Sequence, residues 1–239
     1  MFGRNKVFQI HMARKFPLLV ILCISTICIC FGGNDSLSVS NSSKGQLKNG
    51  LYINLGVAFP SMSTVFNGYT FNTNTLGVQP NIELGYQWYA IRKNNWGAGL
   101  RISWIQFGYS AYQPNYVYTN LTGNPELAQG GVGDLRILKV IPQFTYLLKN
   151  DMAFDISFEV APTLYWGNET SSSITNNYSG LGALFAPGLR FRFQRFALGT
   201  DIGFGTLKGN FYWHDGSNST NYNAKFAIFS PRFYMGIQF

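Results

Sequence analysis

The feature that most restricts the fold is a strict alternation of apolar and polar residues that runs to the last residue of the chain. Phe233, Met235, Ile237 and Phe239 share one parity, and the residues between them are polar or small. Alternation with a period of two places the two sets on opposite faces of a β-strand. One wholly apolar face fits a transmembrane barrel strand, with lipid outside and a polar interior inside. Because the segment is short, an ordinary strand of a soluble β-sandwich is the alternative.

The same alternation recurs along the chain, and the connections between the alternating segments are short and long by turns, each short one being followed by a long one. The eight segments are 51–59, 76–89, 96–107, 135–148, 152–166, 181–193, 196–206 and 225–239. The long connections are rich in Gly, Asn, Ser and Thr and cover 60–75, 110–134, 167–180 and 208–223. This pattern predicts an all-β protein, an eight-stranded antiparallel up-and-down transmembrane β-barrel with four long extracellular loops. Only 12% of the residues are charged, against about 25% in globular proteins.

The N-terminal residues 1–33 are predicted to be a cleaved signal peptide, because a basic segment precedes an apolar one. The apolar run is about 16 residues, which is short for a membrane-spanning helix of about 20. An uncleaved anchor is one alternative, and a lipidated Cys28 or Cys30 is another. Residues 34–48 are rich in Ser and Asn and are expected to form a flexible lead-in. The barrel is then expected to cover residues 49–239.

Cysteine and charge usage exclude several classes of function. All 3 cysteines lie within residues 1–33, so the exported chain would have no disulfide, thiolate metal site or cysteine nucleophile. The same segment carries 4 of the 18 basic residues, which leaves 14 basic and 10 acidic residues. This weak basicity predicts no nucleic-acid partner. The absence of P-loop, dinucleotide and paired-histidine motifs predicts no cofactor.

The eight alternating segments, the loop alternation and the terminal Phe233-x-Met235-x-Ile237-x-Phe239 resemble the small outer-membrane β-barrel family, the OmpA/OmpX-type eight-stranded barrels. The resemblance covers residues 49–239 and includes no periplasmic peptidoglycan-binding domain. It implies a location in the bacterial outer membrane and contacts with outer-membrane lipids and lipopolysaccharide. It also implies that the four alternating terminal residues are read by the barrel-assembly machinery.

The polar faces of the segments carry charges of both signs, which a barrel would place in its interior. These residues are Glu83, Arg101, Lys139, Asp155, Glu159, Arg190, Arg192, Asp201 and Arg232. Charges in a narrow interior must be paired, and an eight-stranded interior is just wide enough for side chains to fill it. We therefore expect an ion-pair network that plugs the barrel. A narrow channel is the alternative, because inward glycines such as Gly85 and Gly99 would leave some room.

Aromatic residues near the ends of the apolar faces are expected to form interfacial girdles. They are Trp88, Trp96, Trp104, Tyr146 and Trp166. A few apolar residues have the inward parity, which indicates either a register shift at a bulge or a position outside the membrane: Ile105, Phe107, Ile141, Leu147 and Leu184. Prolines in mid-strand normally argue against a central strand, so they are predicted to mark bulges or bends: Pro80, Pro142, Pro162, Pro187 and Pro231.

The predicted function is a structural or surface-interaction role rather than an enzymatic one. The aromatic and Asn/Ser-rich loops suit a binding surface for an extracellular ligand, or loops that only pack over the barrel mouth. A narrow channel is the first alternative. The second is a lipid-modifying outer-membrane enzyme that uses His214, the single histidine after residue 33. A solvated loop histidine is the better interpretation, because catalysis requires a rigidly positioned base.

Overall fold

A computed structural model describes residues 47–66, 69–73, 76–112, 117–119, 125–127, 129–148, 151–170, 175–214 and 217–239. The predicted signal peptide and nearly all of the predicted lead-in lie outside these ranges. Within them, no helix is long and apolar enough to cross a membrane.

The described chain is built almost wholly from β-strands. In order they are β1 (Gly50–Ala58), β2 (Ser61–Phe66), β3 (Tyr69–Thr73), β4 (Gln79–Arg92), β5 (Trp96–Tyr112), β6 (Val117–Thr119), β7 (Pro125–Leu127), β8 (Gln129–Leu147), β9 (Met152–Thr170), β10 (Thr175–Phe193), β11 (Phe196–His214) and β12 (Ser219–Gln238). Eight of these strands form the barrel in the order β1, β4, β5, β8, β9, β10, β11, β12, and β12 returns to pair with β1.

The closing pairing joins the two ends of the barrel chain. Tyr52 of β1 lies opposite Gln238 of β12, and Ala58 lies opposite Arg232. All neighbours in the ring are antiparallel. Apart from the closing β1–β12 pair, they are consecutive along the chain once the inserted hairpins β2–β3 and β6–β7 are set aside. Closure leaves the ring with no free strand edge. The prediction of an all-β, eight-stranded, antiparallel up-and-down barrel is confirmed.

The strands are much longer than a membrane crossing requires. Strands β8 to β11 have 19 residues each and β12 has 20, about twice the 9–11 residues of a tilted transmembrane strand. The prediction that these four segments are long loops is therefore wrong, because most of their described residues form the ends of the barrel strands or the two hairpins. Asn, Gly and Ser have weak strand propensity. Their backbone groups nevertheless pair with a neighbouring strand, as Asn210 does with Asn223.

The outer surface is apolar and the interior polar through the middle of the barrel. In β12, Phe233 is 56% exposed and Met235 is 62% exposed, whereas Arg232, which precedes Phe233, is 3% exposed. The alternation in sequence thus corresponds to an alternation in space, with the large apolar side chains directed away from the barrel axis. Such a continuous apolar outer surface is far larger than a soluble monomer normally exposes.

A register shift in β5 explains why two apolar residues have the inward parity in the sequence. Glu83 lies opposite Gln106, but Gly85 lies opposite Ser103, so one extra residue is inserted near Trp104. A one-residue insertion exchanges the two faces of a strand. Beyond it Gln106 is buried, whereas Ile105 and Phe107 have the outward parity.

A second shift occurs in β8, between Arg136 and Val140. Leu138 within it has a φ of 50°, which is uncommon for a residue other than glycine. Leu138 is 62% exposed on the outside, and the shift allows both Arg136 and Lys139 to face the interior.

None of the register shifts lies at a proline, so the prediction of bulges at the prolines is wrong, and the alternative of strand bends stays a prediction. Pro162 lies opposite Ala183 and Pro231 lies opposite Ile202, each in an unshifted register. A residue in a sheet directs its N–H to one neighbouring strand only. An outward-facing proline therefore removes one ladder bond and leaves the pairing on its other side intact.

Two apolar layers lie inside the barrel, one at each end. We call the end with the short turns after β4, β8 and β10 the turn end, and the opposite end the loop end. The loop-end layer comprises Met62, Leu76, Val132, Tyr165, Tyr178, Leu184, Leu207, Ala224, Phe226 and Ile228. The turn-end layer comprises Leu47, Tyr89, Leu147 and Ala153. These layers account for the inward Leu184 and Leu147. Leu47 belongs to the segment predicted as lead-in, but the structure places it inside the barrel, 2% exposed.

Candidate functional site, the charged barrel interior

The charged side chains predicted for the interior are all inward and at most 5% exposed. They are Glu83, Arg101, Lys139, Asp155, Glu159, Arg190, Arg192, Asp201 and Arg232. Asp134 and Arg136, which the sequence reasoning missed, are each 2% exposed beside them. The contacts divide these residues into two clusters. The loop-side cluster contains Glu83, Asp134, Arg136, Lys139, Glu159, Asp201 and Arg232, and the turn-side cluster contains Asp155, Arg190 and Arg192. Arg101 forms no ion pair with either cluster and is grouped with the turn-side cluster because it donates to Ser157, two residues from Asp155 on β9.

Lys139 is the central cation of the loop-side cluster. Its Nζ lies 3.1 Å from Glu83 Oε1 and 2.9 Å from Glu159 Oε2. It also donates to Gln106 Oε1 at 2.7 Å. Three acceptors thus match the three ammonium donors, so the cation is fully coordinated although it is completely buried.

Arg232 joins the remaining carboxylates of the loop-side cluster. Its Nη1 donates to Glu83 Oε2 at 2.8 Å, and its Nε donates to Asp201 Oδ2 at 2.8 Å. Arg136 donates from Nε to Asp134 Oδ2 at 2.8 Å and from Nη1 to Glu159 at 3.3 Å. Shared carboxylates therefore connect β4, β8, β9, β11 and β12 across the interior.

Asp155 is the one carboxylate of the turn-side cluster. It accepts from Arg190 Nε at 2.6 Å and from Arg192 Nε at 2.9 Å and Nη2 at 3.1 Å. Thr145 Oγ1 donates to it at 2.6 Å. Arg192 Nη2 also donates to the Tyr89 hydroxyl at 2.7 Å, which ties the cluster to the turn-end apolar layer.

Arg101 differs from the other interior cations. No described carboxylate lies within ion-pair distance of it, and its Nη2 donates to Ser157 Oγ at 3.3 Å. Its guanidinium lies 5.7 Å from the centroid of the Tyr52 ring, a distance at which cation–π attraction operates.

Two of the inward glycines, Gly85 and Gly99, do not face open space. A Cβ added to Gly85 would lie 2.6 Å from the Tyr52 hydroxyl, and one added to Gly99 would lie 3.0 Å from the Tyr89 ring. Each glycine thus gives space to a tyrosine of a neighbouring strand. The interior is filled by side chains at these positions.

The aromatic residues predicted for the girdles lie on the outer surface. Trp88 and Tyr146 are each 50% exposed, and Trp96 of β5 lies directly opposite Tyr146 of β8 near the turn end. Trp166 lies towards the loop end and packs on Phe107, with ring centroids 6.2 Å apart. Trp104 is an exception, because it lies midway along β5 at the register shift rather than near a strand end.

The predicted assembly residues Phe233, Met235, Ile237 and Phe239 also face outward, with exposures of 42–64%.

His214 is the last residue of β11 and is not in a free loop. Its Nδ1 lies 2.9 Å from Ser219 Oγ and 3.2 Å from the Asn218 carbonyl oxygen. Its ring stacks on Tyr212 with centroids 6.5 Å apart.

Metal coordination finds no support in the described residues, where no group of three or more His, Cys, Asp or Glu side chains could hold an ion. The interior carboxylates are instead matched to Lys and Arg. The chemistry that the site can perform is therefore electrostatic cross-linking of strands.

No protein-family model matches the chain, and no curated relative matches it. Solved structures resemble it in fold. The outer-membrane protease OmpT of Escherichia coli has 9% identity and a TM-score of 0.51, over 86% of this chain and 99% of OmpT. Ail of Yersinia pestis has 10% identity and a TM-score of 0.40, over 80% and 99%. OprG of Pseudomonas aeruginosa has 12% identity and a TM-score of 0.41, over 80% and 96%.

At such low identity, the likeness to these structures establishes the fold and nothing beyond it. The fold is that of the outer-membrane β-barrels, and the resemblance predicted from the sequence is confirmed at that level. The activities named for those proteins do not transfer to this chain through such a likeness.

Two members of the loop-side cluster could not be predicted from the sequence, for different reasons. Asp134 belongs to a segment predicted as a long loop. Arg136 has the parity opposite to Lys139, and only the register shift at Leu138 brings both inward. A usable signal was the shared parity of Val132, Asp134 and Arg136, which continues the strand beyond its predicted start.

Proposed function

We propose that the protein is a sealed barrel that spans the bacterial outer membrane and has a structural or surface-interaction role. The observation that carries this proposal is the distribution of charge on the outer surface. Exposed basic residues of the described chain lie only at the two ends of the barrel. Lys48, Arg92, Lys93 and Arg195 lie at the turn end, and Lys208 and Lys225 lie at the loop end. The outward positions between them are uncharged, as a hydrocarbon environment requires.

We call the outer surface between these two sets of basic residues the uncharged band, and its height fits a membrane. In β11 the outward apolar residues extend from Phe196 to Phe204, and in β12 they extend from Phe229 to Phe239. Both spans agree with the 9–11 residues of a tilted transmembrane strand. Lys208 and Lys225 follow about four residues beyond, at the level expected for lipid head groups.

A pair of lysines supports a contact with lipopolysaccharide. Lys208 and Lys225 are directly opposite each other on β11 and β12, and both are exposed. Like charges directly opposite in a sheet are destabilising. An anionic lipid phosphate between the two ammonium groups would remove this repulsion, and the outer leaflet offers such phosphates.

The layered interior supports a sealed barrel rather than a channel. A hydrated ion would have to cross the loop-end apolar layer, both charged clusters and the turn-end apolar layer. Apart from tyrosine hydroxyls, the side chains of the apolar layers offer it no polar ligands. Reconstitution in planar bilayers tests this: we expect no discrete single-channel conductance, and reproducible ion-conducting steps would establish the channel alternative.

Beyond the uncharged band the polarity of the wall is reversed. Tyr178, Leu207 and Phe226 face inward and are at most 4% exposed, whereas Lys208 and Lys225 face outward. A wall surrounded by water needs an apolar interior to be stable. The barrel therefore continues outside the lipid as a rigid extension, which suits a platform for an extracellular ligand.

An enzymatic role receives little support from the surroundings of His214. Its hydrogen-bond partners Ser219 and the Asn218 carbonyl are close to it in sequence at the hairpin tip. Lipid A analysis of a His214→Ala strain tests the lipid-modifying alternative. We expect unchanged lipid A, and the loss of a lipid A modification in that strain would reverse the proposal.

Cell fractionation with heat-modifiable gel mobility tests the location. We expect the protein in the outer-membrane fraction, with a band that migrates differently before and after boiling because the closed barrel resists unfolding. A cleaved N-terminus at about residue 33 would support export through a signal peptide. Recovery in the soluble fraction would remove the basis of the proposal.

A further inference from the structure

We propose that the turn-side cluster binds a small monovalent anion of about the size of chloride inside the barrel. Its charges are unequal, because it holds the guanidiniums of Arg101, Arg190 and Arg192 but the single carboxylate of Asp155, which forms ion pairs with Arg190 and Arg192. Asp155 is already bonded to Arg190 and Arg192. The third guanidinium, that of Arg101, has no described carboxylate at ion-pair distance. A buried charge of this kind is costly unless a counter-charge accompanies it.

Unpaired donors accompany this excess of positive charge. Arg101 Nε, Gln87 Nε2 and Gln143 Nε2 are buried and have no hydrogen-bond partner among the described residues. The three side chains are 3%, 0% and 5% exposed, respectively. Buried polar atoms of this kind are rare in native proteins and require an explanation.

The two glutamine amides are held with their donors free. Arg190 Nη2 donates to Gln87 Oε1 at 2.5 Å and to Gln143 Oε1 at 3.3 Å. Because guanidinium can only donate, both amide oxygens must face Arg190 and both NH₂ groups must point elsewhere. Reversing either amide would place two donors against each other.

The three donors come from one level of three adjacent strands. Gln87 of β4 lies directly opposite Arg101 of β5. Gln143 of β8 lies opposite Gly99, two residues from Arg101 on the same face of β5. The donors thus belong to one patch of the inner wall, which we name the anion site, and the ligand that they suit is an acceptor with negative charge.

The loop-side cluster has the opposite charge imbalance, and its unpaired charged atoms are of the opposite kind. It holds four carboxylates and three cations, and its unpaired charged atoms are the acceptors Asp134 Oδ1 and Asp201 Oδ1. The turn-side cluster has the opposite imbalance and unpaired donors. Among the charged side chains the unpaired atoms thus match the local excess of charge, whereas uncharged unpaired atoms such as Gln79 Nε2 do not follow this rule.

The filled interior limits the size of the anion. The Tyr52 hydroxyl lies 2.6 Å from the Cβ position of Gly85, and the Tyr89 ring lies 3.0 Å from that of Gly99. Gly85 and Gly99 are the inward neighbours of Gln87 and Arg101 on their strands. Because the two tyrosines occupy the space beside these glycines, a ligand of the anion site must be small.

Gln143→Glu tests the site by placing a fixed negative charge next to it. We would measure the urea midpoint of unfolding in lipid vesicles at constant ionic strength, exchanging chloride for gluconate. For the wild type we expect a midpoint that rises with chloride and saturates. For Gln143→Glu we expect the same midpoint in both salts, and a higher midpoint than wild type in gluconate.

Gln106→Glu is the matched control, because Gln106 makes the same kind of contacts in the loop-side cluster, where Lys139 and Arg232 donate to it. It adds a carboxylate where carboxylates are already in excess, so its chloride dependence should equal that of the wild type. A wild-type midpoint that is equal in chloride and gluconate would overturn the proposal.

Crystals of the wild-type protein grown in sodium bromide give a direct readout that does not depend on a variant. We expect an anomalous difference peak within hydrogen-bond distance of Arg101 Nε and the two glutamine Nε2 atoms. Ordered water at these atoms without an anomalous signal would overturn the proposal. Neither experiment depends on a surface role, so failure of the proposed function leaves the anion site testable.

Discussion

Replacement of Asp155 by asparagine is the sharpest test of the interior network, because this one carboxylate compensates two buried guanidiniums. It accepts four hydrogen bonds, from Arg190 Nε, Arg192 Nε, Arg192 Nη2 and Thr145 Oγ1, at 2.6–3.1 Å. Asparagine has nearly the same shape but no charge, and one of its two terminal atoms is a donor. That donor must face a group that can only donate.

The size of the effect follows from burial. Asp155 and its two arginine partners are at most 2% exposed, so water does not compensate the lost charge. Removal of one partner of a buried ion pair typically costs about 3–5 kcal/mol. We expect Asp155→Asn to lower the free energy of unfolding by about this amount, which exceeds a hundredfold change in the folding equilibrium.

Urea titration in lipid vesicles, followed by tryptophan fluorescence, measures this difference. Asp151→Asn is the matched control, since Asp151 is partly exposed in a turn with a φ of 58°. Asparagine tolerates that backbone conformation, so we expect a change within about 1 kcal/mol. Adding Arg190→Met to Asp155→Asn should recover part of the loss, because one uncompensated charge disappears. A stability of Asp155→Asn equal to that of Asp151→Asn would refute the reasoning.

Other substitutions test other parts of the barrel. Lys139→Met leaves two buried carboxylates without their shared cation, and we expect a loss of about 3–5 kcal/mol in the same titration; a neutral result would show that the loop-side cluster is not stabilising. Phe226→Ala, in the loop-end apolar layer, should cost about 3–5 kcal/mol, and a cost below about 1 kcal/mol would indicate a hydrated interior. Gly85→Ala forces a Cβ against the Ile102 carbonyl oxygen and the Tyr52 hydroxyl, so we expect a loss of about 1–3 kcal/mol, which Tyr52→Ala in the same chain should not restore because the backbone contact remains. Phe239→Ala should reduce the amount of heat-modifiable protein in the outer membrane without changing its total synthesis, and an unchanged amount would argue against its role in assembly.

Lys225→Ala distinguishes the lipid-facing interpretation of the lysine pair from a purely structural one. Removing one member of a like-charge pair should leave the stability in neutral detergent unchanged or slightly higher. In vesicles that contain lipopolysaccharide, the same change should lower the stability, because a phosphate contact is lost. Equal effects in the two environments would remove the support for a lipopolysaccharide contact.

Part of the site could be read from the parity of residues within a strand. Glu83, Arg190 and Arg232 were expected inward because they alternate with large apolar residues, and the structure places them there. Their partners could not be read in this way. Arg232 and Glu83 are 149 positions apart and meet across the interior, which depends on the closure of the ring and on its register.

Register shifts are the second reason why the interior residues could not all be predicted from the sequence. A single extra residue near Trp104 and another shift around Leu138 exchange the faces of β5 and β8. A bulge has no consistent signature in one sequence, so Ile105 was assigned to the inner face and Arg136 was missed. The prolines, which are easily seen in the sequence, do not lie at either shift: Pro162 and Pro231 are in unshifted register.

The sequence by itself determined which side of each strand is oily and which is charged, because side chains alternate with a period of two in any strand. From that alternation it also determined the number of barrel strands and their antiparallel order. Only the tertiary structure decided where the strands end, since polar segments become strand when a neighbour pairs with their backbone. It alone also decided which buried charges meet and which donors remain unpaired, since those contacts join residues far apart in the chain.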